Sequence, residues 1–169
     1  MDQEQKLLDL MDNFSVAMLV TTSSLGQPSC RPMWIAEKQE SGEVWFATDR
    51  ESGKVREAEA GSGAAVTMQN DNQFISLEGS LELVDDREKV KQLWTSFWKV
   101  WFPEGPDDDS IVLLKFQPRT GEYWDNSGLE GWKYLVRAGV AYLTGSRPNT
   151  DATINAEVDM NHAARRVHV

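Results

Sequence analysis

Ser52 and Lys54 lie two residues apart, where the strand-forming run Trp45, Phe46, Ala47 gives way to a helix-forming run closed by Gly61. This order predicts a strand end, a turn over 49–51 and a helix over 53–60 with Ser52 as its cap. At such a junction the free amides and the helix dipole favour an anion, the hydroxyl adds a hydrogen bond and the lysine supplies a full charge. A plainer reading competes: Ser52 only caps the helix and Lys54 is a solvated surface lysine. A second cation, Arg31, stands beside Pro32 in an earlier strand-like run, either as an exposed sheet residue or as a second anion ligand. Other chemistry is poorly supplied. The three aspartates at 107–109 lack the glycine and the terminal glutamate of a calcium loop and have no histidine nearby, so they read as a solvated acidic loop. His162 and His168 both lie in the polar C-terminal stretch, so neither a histidine metal centre nor a catalytic triad is predicted.

The elements that must hold these residues are mostly strands. Residues 3–12 read as an amphipathic helix on Leu7, Leu8, Leu10 and Met11. Runs 15–22 and 29–36 form a hairpin, and Pro32, lacking an amide donor, places an edge or bulge in the second. A strand over 43–48 precedes the Ser52 turn, and another covers 62–68. Residues 73–84 alternate most cleanly: Ile75, Leu77, Leu81 and Leu83 share one face, with Gly79 on that face at mid-strand. A bend or a close approach is expected there, which favours closure into a barrel. Residues 85–102 give the strongest helical pattern, capped by Asp85 or Asp86 and carrying Val90, Leu93, Trp94, Phe97, Trp98 and Trp101 on one face. Strands over 111–117 and 121–125 follow, joined by a turn at Pro118. Residues 130–144 read as a helix, and from Gly145 the chain is polar and weakly patterned, a flexible or partner-docked tail. The fold class is mainly β with flanking helices: a barrel domain over 1–126 and a helical or extended tail over 127–169.

Composition narrows the function. The formal net charge of −10 and the absence of a basic stripe argue against nucleic acid. No apolar run approaches the ~20 residues of a membrane span. The acidic, amphipathic start is unlike a secretory signal, and a single cysteine, Cys30, excludes an intrachain disulfide. A cytoplasmic protein is expected. Seven tryptophans are many for 169 residues; flat rings build cores, but they also line pockets for aromatic ligands and subunit interfaces.

Taken in order, these motifs resemble the FMN-binding split β-barrel family, whose type member is pyridoxamine 5′-phosphate oxidase, and within it the general stress protein branch. The resemblance rests on Arg31 followed by Pro32 and Met33, on the W-F-A-T strand ending at Thr48, and on Ser52 with Lys54. It continues through Gln73 opening the long strand with Glu78 and Gly79, to the late E-Y-W at 122–124. It implies a six-stranded antiparallel Greek-key barrel, a homodimer, and FMN bound at the subunit interface. Carried over, Lys54 and Ser52 hold the FMN phosphate, Arg31 is the second positive group, and Thr48 lies beside them. Met33 and Trp34 flank the isoalloxazine, Gln73 serves its polar edge, and Trp124 approaches from the partner chain. The sequence departs from the oxidase pattern at four places, one of them a spacing from Gln73 to Gly79 that is longer by one residue. Gly53 stands where that pattern has a basic residue, Ala36 replaces a lysine, and residues 126–131 lack the Arg-x-His element for the substrate phosphate. The expected activity is therefore flavin-dependent oxidoreduction, with NAD(P)H or another small reductant as electron donor, on a substrate other than pyridoxamine phosphate. The alternatives are a flavin-binding stress or sensor protein without turnover, or the same fold carrying a deazaflavin.

Overall fold

The computed structural model describes residues 2–61, 63–127 and 155–161. Its elements are α1 (Gln3–Met11), β1 (Val16–Thr22), β2 (Pro28–Lys38), β3 (Val44–Asp49), α2 (Gly53–Glu59), β4 (Ala64–Gln69), β5 (Gln73–Val84), α3 (Arg87–Leu93), a 3-10 helix (Ser96–Val100), β6 (Ile111–Asp125) and β7 (Asn155–Asp159). All pairings are antiparallel in the order β3-β2-β1-β4-β5-β6-β7, and β3 also pairs with β6. The first six strands therefore close into a Greek-key barrel, as the alternation of β5 and the turn lengths predict. Leu19, Phe46, Val66, Leu77, Leu114 and Phe116 fill its interior with essentially no exposure, and Leu7, Leu10 and Met11 of α1 join the same core.

Three sequence expectations are corrected. The helix over 85–102 is broken: Asp86 caps α3 by accepting from the amides of Glu88 and Lys89, but Trp94 and Thr95 are extended before the 3-10 turn begins. The break changes which rings point inward. Trp98 and Phe102 are buried with Trp45 and Val90, whereas Phe97 and Trp101 are left 45% and 56% exposed. One straight helix would have put all these bulky rings on a single stripe; the break divides them between the core around Trp45 and the surface. The pair of strands joined at Pro118 is one fifteen-residue strand. Pro118 and Thr120 face Gly79 and Glu78, so the register shift leaves Arg119 as the extra residue of a bulge. On its other edge β6 pairs with β3 through Ile111–Phe116 and with β7 through Thr120–Trp124. Pro118 falls in the gap between them, where its missing N–H costs no ladder bond. Finally, part of the expected tail belongs to the sheet. β7 lies on β6 and buries Ala156, Val158 and Met160 in the barrel core, a two-residue period hidden between acidic residues. The helix read over 130–144 lies outside the described residues.

Gly79 is the position where the barrel tolerates no side chain. A β-carbon built there would lie 2.0 Å from the Gln117 carbonyl oxygen and 2.9 Å from its carbon, both backbone atoms held by the β5–β6 ladder. Gly79→Ala should lower stability by about 1–3 kcal/mol through a forced shift of that ladder. Gly53→Ala, where the nearest neighbour of a β-carbon is the far end of the Arg56 side chain at 3.8 Å, should be neutral or mildly stabilising. Urea denaturation of both variants checks the contrast.

Candidate functional site

The site arises where two neighbouring strands part. β2 pairs with β3 only from Ile35 to Lys38, with a bulge at Ala36 between Ile35 and Glu37. Beyond it, the earlier part of β2 pairs with β1 alone, and Ala47–Asp49 of β3 pair with β6 alone. Pro32 sits on the edge of β2 that faces the gap, the irregular place its chemistry requires. The gap is a cleft of about 390 Å³. Arg31, Pro32, Met33 and Trp34 line it from β2, Ala47, Thr48 and Asp49 from β3, Lys54 from α2, and Trp98, Trp101 and Phe102 from the far side.

One end of this cleft is cationic. Arg31 donates to the hydroxyl of Thr21 and, at 3.0 Å, to a carboxylate oxygen of Glu57. Lys54 is half-buried, and among the described residues it makes no hydrogen bond or ion pair. Burial, reinforced by the nearby Arg31 charge, pulls its ammonium below the ordinary lysine range, while Asp49 and Glu57 oppose this. Ser52 occupies the cap position of α2 with extended backbone, but its hydroxyl does not cap. The oxygen lies 3.2 Å from the Thr48 hydroxyl oxygen instead, which is itself buried on β3. α2 has only seven residues, so side-chain charge rather than a long helix dipole sets the potential at this end.

The other end is aromatic. Trp34 lies 4.7 Å from Phe97 between ring centroids, and Phe97 lies 5.1 Å edge-to-face from Trp101. Trp34 is 45% exposed, so these rings form a continuous apolar surface at the cleft mouth. Trp98 stands behind them, edge-on to Trp94 at 5.7 Å.

Of the residues marked from sequence, Arg31, Met33, Trp34, Thr48 and Lys54 line the cleft, and Ser52 joins it through Thr48. Gln73 and Trp124 do not. Gln73 accepts from Asn13 and Asn70 and donates to Asp125 at the start of β5, and Trp124 faces Phe74 and Asn155 across neighbouring strands. The sequence places Trp98 and Trp101 on one face of a helix over 85–102 and gives Phe102, at its end, no role. Their helical spacing hid the break at Trp94 that turns them to the cleft. Thr21 and Glu57 were also missed, because nothing local links a strand threonine to a helix glutamate 36 residues later.

A family model for pyridoxamine 5′-phosphate oxidase-like proteins matches residues 2–149. The chain belongs to that family. Within it, the pyridoxamine 5′-phosphate oxidase-like chain is 25% identical over 122 residues to general stress protein 26 of Bacillus subtilis, an overlap of 69% of this chain and 84% of the relative. A solved structure from Jannaschia sp. CCS1, assigned to general stress protein 26, superposes with a TM-score of 0.71 at 27% identity. It covers 94% of this chain and 98% of its own. The general stress FMN/FAD-binding protein of Xanthomonas citri has the same fold, with a TM-score of 0.62 at 23% identity over 75% of this chain and 89% of its own.

The direction of the Lys54 shift fixes a pH dependence. A lysine whose folded pKa lies below its unfolded value destabilises the fold while charged, and this cost is relieved as pH rises through the folded pKa toward the unfolded one. Lys54→Met should therefore be more stable than the parent at neutral pH, and the difference should shrink as pH approaches 10. Thermal melts from pH 7 to 10 without added anions measure this.

Proposed function

We propose that this chain is an FMN-dependent oxidoreductase, with the flavin phosphate at Arg31 and Lys54 and the ring system against Met33, Trp34 and the aromatic wall. The observation that carries this is one cleft with desolvated cations at one end and indole rings at the other. A phosphate monoester needs several charge-assisted donors. Lys54 is unpaired among the described residues, and Arg31 has used two of its five N–H groups. Ser52 and Thr48 add hydroxyls that can turn toward a phosphate oxygen. A volume of 390 Å³ lies near the small end of ligand pockets, about 300–1,000 Å³, which favours a mononucleotide over FAD. The FMN/FAD binding of the Xanthomonas citri protein supports the same class of ligand.

When bound, FMN would supply redox chemistry between a reduced nicotinamide or another small reductant and an electron acceptor. The chain's own part is to bind and orient. Arg31 and Lys54 would hold the phosphate, and the strand edge at Met33 and Trp34 would flank the ring. The indoles of Trp98 and Trp101 exclude water from one side. We further propose a homodimer with one flavin at each interface. Its support is the exposed apolar surface of Trp34, Phe97, Val100 and Trp101. The cytoplasm is the compartment we propose. In the described residues no helix is long and apolar enough to cross a membrane, and Cys30 is a free, exposed thiol.

Titration of FMN against the purified protein, read as quenching of flavin fluorescence, tests the assignment. Lys54→Ala should weaken binding about 10- to 100-fold, the loss of a contact of about 1.5–3 kcal/mol to a charged group. Ser52→Ala should weaken it about threefold or less, because a neutral hydroxyl contributes about 1 kcal/mol. Equal affinities for the two variants would sink the phosphate role of Lys54. Trp101→Glu should yield a monomer in sedimentation with diminished FMN affinity, while a variant that remains dimeric would remove this surface from the interface. Anaerobic mixing with NADH or NADPH should bleach the bound flavin; a flavin that stays oxidised with every reductant would favour a binding protein without turnover.

A further inference from the structure

Arg31 does not reach the cleft alone. Its guanidinium is held from behind by Thr21 of β1 and Glu57 of α2, neither of which lines the cleft. Thr21 is 2% exposed, and its hydroxyl is used in both directions, accepting from Arg31 and donating to Glu57. The three side chains form a closed triangle that ties two strands to the helix carrying Lys54, three positions before Glu57. A surface arginine and carboxylate would gain little from this arrangement, because exposed pairs are screened by water and both chains lose rotamer freedom. Here the Arg31 and Glu57 side chains are only 22% and 17% exposed, and a buried hydroxyl fixes the angle between them. Two of the five guanidinium donors are used on the triangle and three remain.

We propose that Thr21 and Glu57 are positioning residues that aim the free donors of Arg31 at the phosphate end of the cleft, and that Glu57 also sets the charge of that end. This rests on the phosphate reading above. Glu57 offsets one of the two cations, so the cleft does not confine two bare like charges, and its effect on Lys54 runs opposite to that of Arg31. Removing the carboxylate altogether frees Arg31 to rotate away. Replacing it with an amide keeps an oxygen that accepts from Arg31 and Thr21 while deleting the negative charge near the ligand. Geometry and charge therefore separate in two variants of one residue.

The test uses the full chain, wild type, Glu57→Ala, Glu57→Gln and Thr21→Val, titrated with FMN and with riboflavin, which lacks the phosphate. Unfolding midpoints establish that each variant is folded. Glu57→Ala and Thr21→Val should weaken FMN by about tenfold and leave riboflavin unchanged, since only the phosphate meets Arg31. Glu57→Gln should restore FMN affinity to the wild-type level or above it. A Glu57→Ala protein that binds FMN like wild type, or that loses FMN and riboflavin alike, overturns the proposal, the latter because a merely structural role is blind to the phosphate. Should Glu57→Ala fail to fold, Thr21→Val and Glu57→Gln decide by the same criteria. A wild-type protein that binds neither flavin defeats the flavin reading instead. The triangle is then judged with inorganic phosphate, where stabilisation by phosphate that is lost in Thr21→Val and kept in Glu57→Gln supports it, and equal responses refute it.

Discussion

The parting of β2 from β3 at the Ala36 bulge is the constraint from which the site follows. A barrel closed along its whole length would have no room between these strands, since neighbours in a ladder stand about 4.8 Å apart. Here the ladder holds only from Ile35 onward, and the strand ends carrying Arg31–Trp34 and Ala47–Asp49 are free to diverge. The closure is made elsewhere, by β3 against β6 over Val44–Asp49. This frees the β2–β3 edge without unravelling the core, where Phe46 and Leu114 remain fully buried. The opening thus depends on the length of β6, which must reach past its bulge to pair with β5 throughout while offering its other edge to β3.

Electrostatics and packing divide the cleft between them. At the cationic end the groups are not merely positive but partly stripped of water, which makes Lys54 a reluctant cation and an anion a welcome companion. At the aromatic end the broken helix supplies rings from a segment that packs its other side on Trp45. That indole is itself flanked by Lys89 and Lys115, at 5.1 and 5.7 Å from its ring centre, each engaged with a carboxylate, Glu37 and Glu82. The wall is therefore braced from behind by ion pairs and cation–π contacts, and Arg87 ties the following loop to it through the carbonyls of Asp108 and Ile111.

The barrel was legible because its strands alternate and its turns are rich in glycine, asparagine and proline; β5 could be read to the residue. On the cationic side of the cleft, Ser52 and Lys54 stood out because they lie at the start of a helix just after a strand, and Arg31 because Pro32 beside it marks an irregular strand; Thr48 was marked only by the family resemblance. What escaped was decided by distant partners. Helical periodicity over 85–102 is genuine up to Leu93; beyond it the rings divide between the cluster around Trp45 and the surface, a division that periodicity alone does not carry. Pro118 looked like a turn because a bulge between two different edge partners has no one-strand signature. β7 was too short, and too acidic on its outer face, to announce itself before β6 was there to receive it. Ser52 stood at the right place for a cap, yet its hydroxyl turned to Thr48, a choice set by the neighbouring strand.

One feature of the topology bears on how such a chain can change over time. The polypeptide leaves the sheet at the end of β6 and returns as β7 directly opposite Trp124, so that Asn155 lies across from the strand it departed. The end of β6 and the start of β7 are thus neighbours in one ladder, and Met160, seated beside Gly42 and Leu8, anchors the seventh strand at its far end. Closure of the barrel by β3 on β6 uses a different stretch of that strand, Ile111–Phe116. A change that loosened β7 would therefore spare the closure, so the seventh strand can evolve as an attachment to a barrel that is already shut.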